Sequence, residues 1–262
     1  MPRFAANLGY LFTERPLIER IGAAAAAGFK AIELQFPYDV PAADVKAAID
    51  KNKLTMLGLN TPPGERSGEF GLAAVPAHEQ DWELMFGRAL DYAVAIGASA
   101  IHCLAGMVAP AQRAAAESVF VDNLAGAADL AAAKNIGLLI EPINARDRPN
   151  YFLNHVEHAA DIIAKVGKPN IRMQFDFYHA QIVGGDLLYR LEKYLPVIGH
   201  LQCGAVPSRH EPDEGEVNFP AVFEAVDKLG YQGWIGAEYR PRGRTEAGLG
   251  WAKPYGVVPV NQ

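Results

Sequence analysis

The chain has 262 residues, half of them apolar, which is enough to bury a large core, and 24 Lys and Arg against 30 Asp and Glu leave a formal net charge of -6. That balance lacks the basic footprint of a protein whose main partner is a phosphate backbone. The two cysteines, Cys103 and Cys203, stand in no CxxC spacing and argue against a disulfide framework or a structural zinc site, so a reducing cytoplasm is the expected compartment. The opening MPRFAANLGYLFTE has no sustained apolar run, and no stretch reaches the roughly 18 apolar residues of a membrane helix, so a soluble, unprocessed chain is expected.

In chain order, FAANL at 4–8 reads as a first strand and PLIERIGAAAAAGF at 16–29 as a helix. AIELQF at 31–36, a helix at 42–52 and LTMLGLN at 54–60 follow. Next come the helix DWELMFGRALDYAVAIGA at 81–98, the strand SAIHCLAG at 99–106 and an Ala-rich helix at 111–134. The second half repeats the alternation: strands IGLLIEP at 136–142, IRMQFDF at 171–177, VIGHLQCG at 197–204 and WIGAEY at 234–239 alternate with helices at 154–166, 186–195 and 219–229. Gly97 and Gly230 sit where a glycine ends a helix.

Eight strands alternating with helices, undivided by any Ser- or Pro-rich linker, predict a single (β/α)8 barrel over residues 1–262. A dinucleotide-binding doubly wound sheet is disfavoured, because Gly9-Tyr10-Leu11-Phe12 follows the first strand in place of GxGxxG. The long Gly- and Pro-containing segment NTPPGERSGEFGLAAVP at 60–76 leaves the third strand at the end where barrels carry their chemistry, and reads as a lid or binding loop.

In such a barrel the informative residues are the last inward ones of each strand. Four consecutive strands end on a possible ligand: Glu141, Asp176, Gln202 and Glu238. Period-two alternation turns Leu138 and Ile140, Met173 and Phe175, and Ile235 and Ala237 toward the helices, which sends the three acids into the barrel mouth. Converging carboxylates must share protons or a cation, and three of them with an amide oxygen suit one divalent cation, Mg2+ or Mn2+. His179 is expected in the loop beside Asp176, facing a substrate oxygen. His102, central in the fourth strand, is either a pocket residue beside substrate or a satisfied core histidine. Glu33 and Gln35 are expected to line the lumen in a structural or catalytic role, and Cys203 to face outward as packing. Arg240, Arg242 and Arg244 meet either an anionic substrate or solvent.

EPIN at 141–144, DFYH at 176–179, HLQCGAVPSRHEPDEGEVN at 200–218 and EYRPRGRTEAGLGW at 238–251 together resemble the xylose-isomerase-like barrel superfamily, and within it the hydroxypyruvate isomerase family. The resemblance spans essentially the whole chain. It implies metal binding by Glu141, Asp176, Gln202 and Glu238, proton exchange with substrate at Glu141 and Glu238, and substrate contacts from His179, Arg209 and Asp147. It further implies metal-assisted isomerisation of hydroxypyruvate to tartronate semialdehyde through an enediolate. A 2-oxotetronate isomerase, a ketose 3-epimerase and a catalytically silent sugar-binding barrel are the alternatives. Gln202 departs from the histidine of the ketose 3-epimerases, which weakens that reading. The DNA-repair endonucleases of the superfamily are disfavoured by the acidic charge and by the lack of an Asp-x-His pair in 203–218. For a short 2-oxo acid, Arg209 with Arg240 and Arg242 are the expected partners of the carboxylate. Related barrels form dimers or tetramers, so homo-oligomerisation is left open.

Overall fold

The computed structural model describes residues 1–260 and closes them into a barrel of parallel strands. The strands are β1 (Arg3–Asn7), β2 (Ala31–Glu33), β3 (Thr55–Met56), β4 (Gly58–Asn60), β5 (Ala100–His102), β6 (Gly137–Ile140), β7 (Ile171–Asp176), β8 (Ile198–Cys203) and β9 (Trp234–Ala237), neighbouring one another in the order β3-β2-β1-β9-β8-β7-β6-β5-β4. β3 and β4 are two halves of the predicted 54–60 strand, parted only at Leu57. The first half pairs with β2 and the second with β5. Leu57 donates its N–H to Ile32 O and accepts from the N–H groups of Ser99 and Ala100, so this one run joins both ends of the sheet. The predicted eight-strand barrel therefore closes without a free edge.

The helices are α1 (Leu17–Ala26), α2 (Ala42–Asn52), α3 (Glu79–Ile96), α4 (Arg113–Ala132), α5 (Val156–Val166), α6 (Phe177–Val183), α7 (Leu187–Tyr194), α8 (Phe219–Lys228) and α9 (Thr245–Gly248). α3 buries Trp82, Met85, Phe86, Ala89, Leu90, Ala93 and Ile96, a stripe at helical spacing that faces the sheet. Gly97 ends it at φ 75°, and Gly230 follows α8 at φ 77°, both in the left-handed region that glycine enters without strain. Among the described residues no helix is long and apolar enough to cross a membrane.

Two predicted strands are shorter than their apolar runs. β2 stops at Glu33, although Leu34 N still donates to Gly58 O and Gln35 O accepts from Asn60 N, and β5 stops at His102, beyond which Gly71 bridges Ala105 and Met107 bridges Tyr151. The predicted loop after β7 is instead α6: Phe177, expected to be the last strand residue, is the first helical one, and the Asp176 carboxylate caps the helix by accepting from Tyr178 N at 2.9 Å.

The predicted inside-outside alternation holds for the apolar set: Leu138, Ile140, Met173, Phe175, Ile235 and Ala237 join the layer under the helices. Glu141 and Glu238, with Gln174 and Gln202, line a cavity of about 390 Å³ along the barrel axis, whereas Asp176, expected beside them in the mouth, does not line it and has a fully buried side chain. A barrel of this kind ordinarily fills its centre with layers of branched apolar side chains. Here Asn7, Glu33, His102, Gln174, His200 and Gln202 are buried there instead, a polar interior that each must satisfy by hydrogen bonding.

Candidate active site

Of the four predicted ligands, Glu141 and Asp176 offer oxygens within 4.8 Å of each other, Glu238 lies outside that group, and Gln202 lines the same cavity as Glu141 and Glu238. Glu141 follows β6, Asp176 ends β7, Gln202 lies near the end of β8 and Glu238 follows β9; all four are at most 5 % exposed. Glu141 Oε1, Asp176 Oδ2 and Gln202 Oε1 are buried without any hydrogen-bond donor. Two of these orphaned acceptors, on Glu141 and Gln202, line one cavity, and the third, on Asp176, lies within 4.8 Å of Glu141; together they fit a bound cation, since a buried oxygen left unpaired is otherwise costly. Glu238 is partly occupied: its Oε1 accepts from Gln35 Nε2 at 2.9 Å and from Arg209 Nη2 at 3.2 Å.

Burial sets the protonation of these acids. It pushes Glu141 well above the usual carboxylate range, with the charges of Glu238 and Asp176 adding to the effect. Burial also raises Glu238 to about 8 and Asp176 to about 6, in both cases against the opposing pull of the Arg209 guanidinium. Glu33 behaves differently. Burial would raise it, but His200 beside it and hydrogen bonds from His200, Gln202 and Asn7 outweigh that and hold its carboxyl below the usual range.

Glu141, Asp176 and His179 each present one ligand atom within 4.8 Å of the others. The hydrogen bonds nevertheless assign His179 a different part from the two acids. Asn144 Oδ1 accepts from the backbone N–H of Asp147 at 2.9 Å, which turns the Asn144 amide nitrogen toward His179 Nδ1 at 2.6 Å. Asn144 N also donates to Nδ1, at 3.4 Å. Nδ1 is thus an acceptor, and burial with the nearby Arg209 charge keeps the ring neutral, so Nε2 carries the proton. That N–H points among Asp176 Oδ2 at 3.7 Å and Glu141 Oε1 at 3.9 Å. The longer contact of Nε2 with Arg209 Nη2, at 3.4 Å between two donors, does not compete with the 2.6 Å bond at the other nitrogen. His102 lines the same cavity; its Nδ1 lies 3.2 Å from Asn60 Oδ1 and 3.5 Å from Glu141 Oε2, and burial lowers its pKa to about 3.

Arg209 is the centre of an ion-pair cluster, 7 % exposed, reaching Glu238 at 3.2 Å, Asp176 at 3.6 Å and Asp147 at 3.6 Å. Tyr10 and Tyr178 stack on its guanidinium at 4.9 and 4.7 Å. The expected arginine cluster after β9 divides. Arg240 lines the cavity, but Arg242 is drawn away by Glu211 at 2.9 Å, Asp213 at 2.6 Å and Glu214 at 3.1 Å, which corrects its placement beside the reacting centre. Arg244 is outside as well, 3.8 Å from Glu246 on the surface. Sequence reasoning missed Arg148, which lines the mouth with its guanidinium 4.2 Å over the Phe70 ring of the 60–76 loop. It also missed Asn144, although that residue closes the EPIN motif.

The fold is that of a barrel enzyme, and the acid-lined mouth lies at the C-terminal ends of the strands, where such barrels carry their sites. The chain belongs to the xylose isomerase-like TIM barrel family, whose pattern matches residues 21–255. It is 51 % identical over 257 residues to the 2-oxo-tetronate isomerase of Cupriavidus necator, covering 97 % of this chain and 99 % of that one. A putative hydroxypyruvate isomerase of Danio rerio is 44 % identical over 262 residues, at 97 % and 95 % coverage. Among solved structures, one named AP endonuclease, family 2, from Brucella melitensis superposes with a TM-score of 0.95 at 43 % identity, covering 97 % of this chain and 99 % of that one. The chain is an enzyme of the isomerase class.

Proposed function

We propose that the chain moves the carbonyl of a short 2-oxo-3-hydroxy acid from C2 to C3. Hydroxypyruvate and 2-oxo-tetronate are the three- and four-carbon members of that class and differ only by a hydroxymethyl group on C3. The observation that carries the reading is the pair of buried carboxyls, Glu141 and Glu238, on different strands of one cavity with the orphaned oxygens of Glu141, Asp176 and Gln202 beside them.

One divalent cation of the Mg2+ or Mn2+ type, held by Glu141, Asp176, Gln202 and Glu238, would supply positive charge where the reacting carbonyl gains electrons. The chain's own groups handle the protons. One of the two glutamates takes the C3 proton, the C2–C3 bond becomes double as the C2 carbonyl becomes an enolate, a proton returns to C2, and the C3 hydroxyl passes its proton to the C2 oxygen as it becomes the new carbonyl. Glu141 and Glu238 both line the cavity, so each is placed to take up or return a proton at the substrate. His179, neutral with its proton on Nε2, donates to a substrate oxygen.

The acid's carboxylate needs a cation that is not already neutralised. Arg209 is engaged by three carboxylates, whereas Arg148 and Arg240 line the mouth with no carboxylate within 4 Å among the described residues. We assign the carboxylate to this rim. The cavity has room for either substrate, and the name of the relative at 51 % identity favours 2-oxo-tetronate as the first to test. A phosphate-backbone substrate is disfavoured by the net charge of -6 and by the acid-lined floor of the site.

The test is incubation with Mg2+ or Mn2+ in deuterated water on 2-oxo-tetronate, hydroxypyruvate and ketohexoses. Deuterium at C2 of a 3-oxo or aldehyde product is expected from the acids. Epimerisation of ketohexoses at C3 with the acids untouched would favour the epimerase reading, and binding without exchange would favour a silent sugar-binding barrel.

A further inference from the structure

An amide is a two-faced ligand. Its oxygen and nitrogen ends have nearly the same shape, and a half-turn of the Gln202 side chain would present donors to the cation site in place of an acceptor. Something must fix which end points up.

Below Gln202, at the end of β2, Glu33 is 5 % exposed in the middle of the barrel. Its Oε1 accepts from Gln202 Nε2 at 2.8 Å and from Asn7 Nδ2 at 2.8 Å, and its Oε2 pairs with His200 Nε2. Asn7 is itself held, because its Oδ1 accepts from Gly9 N at 2.9 Å, so its nitrogen is committed to Glu33. Three donors therefore converge on a carboxylate that accepts only. A flipped Gln202 would set its oxygen against Glu33 Oε1 and leave its amino group facing the acids above. The fold keeps room for this arrangement at one position: a Cβ on Gly236 of β9 would lie 2.3 Å from Glu33 Oε1.

We infer that Glu33 is the positioning residue of the cation site, aiming the Gln202 carbonyl oxygen into the mouth by taking its amide nitrogen. The inference rests on Gln202 as a cation donor and assigns Glu33 no contact with substrate. It explains why Gln202 Oε1 is buried and unpaired while its nitrogen is bonded.

The test is Mn2+ affinity of the purified protein, read by electron paramagnetic resonance and calorimetry without substrate, in the wild type, Glu33→Gln, Gln202→Met and the exchanged pair E33Q/Q202E. Glu33→Gln should weaken Mn2+ binding by about 10- to 100-fold, the scale for a partner that orients a ligand. The exchanged pair keeps one carboxylate, one amide and the same net charge, and a carboxylate presents oxygen whichever way it turns. It should bind Mn2+ close to the wild type, a recovery that a merely structural role for Glu33 would not produce. If the exchanged pair binds as weakly as Gln202→Met, or if Glu33→Gln binds as the wild type does, the inference is overturned. The exchanged pair decides between these outcomes even if Glu33→Gln does not fold. A wild type that takes up no Mn2+ would sink the cation reading itself. Weakened binding in Gln202→Met with none in Glu33→Gln would leave that reading standing and remove only the part given to Glu33.

Discussion

Glu141 and Glu238 are the residues on which chemistry and folding pull in opposite directions. Burial makes the ionised forms costly, which is what raises their proton affinity, so an uncharged isostere at either position should cost turnover and not structure. Glu141→Gln and Glu238→Gln are each expected to lower kcat by about 100-fold or more, the scale of general acid-base catalysis, with unchanged circular dichroism. Near-normal turnover in both would place the proton transfer on another group, His179 being the nearest. The arginines separate by the same reasoning. Arg209 neutralises three buried carboxylates, so Arg209→Met should destabilise the protein by about 3–5 kcal/mol, the cost of stripping one partner from a buried pair. Arg148→Gln or Arg240→Gln should instead leave the melting temperature unchanged and raise KM for the acid by about 10-fold, the low end for an exposed charged hydrogen bond. If the rim variants leave KM unchanged and a stable Arg209 variant raises it, the carboxylate belongs to Arg209, one of the three arginines expected from the sequence.

Among the elements, α6 shows how local chemistry overrides a strand pattern. The alternation in IRMQFDF carries the strand signal through Phe177, but the Asp176 side chain turns back to Tyr178 N and starts a helix one residue earlier than the apolar period allows. The same turn puts His179 on the first turn of α6, where Asn144 reaches it. This predicts a difference between two substitutions of one residue. Asp176→Asn keeps an oxygen to cap the helix and removes a buried charge, whereas Asp176→Ala loses the cap, so the alanine variant should be about 1 kcal/mol less stable than the asparagine variant in urea unfolding without metal. Equal stabilities would show that the cap contributes nothing. The barrel strands were legible because a strand that ends on an acid after an apolar alternation leaves both signals in its own residues. Phe70 and Arg148 were not, because they meet across two loops that have no period to read, and only the folded mouth brings the guanidinium over the ring.

At the scale of the molecule, the mouth gathers Glu141, Asp176 and Glu238 over Glu33, with Arg209 as their buried counter-charge, so the site without a cation is short of positive charge. The chain relieves this with protons, and the sign follows from the raised affinities. A carboxyl whose folded pKa exceeds its unfolded value favours the folded state at low pH and loses that contribution as pH rises through the folded pKa. With Asp176 raised from 3.8 to about 6 and Glu238 from 4.5 to about 8, the metal-free protein should lose this contribution between roughly pH 4 and pH 8. A divalent cation competes with those protons and takes over their part. At a concentration 100 times its Kd it should add about 2.7 kcal/mol of stability, or roughly 5–11 °C in Tm for a chain of this size. At one fixed Mg2+ concentration the gain should be larger at pH 8 than at pH 6, because fewer protons need to be displaced. Thermal unfolding with and without Mg2+ at the two pH values measures both effects, with chelator addition as the reversal. A shift that is equal at the two pH values, or larger at pH 6, would mean that the cation binds away from these carboxyls.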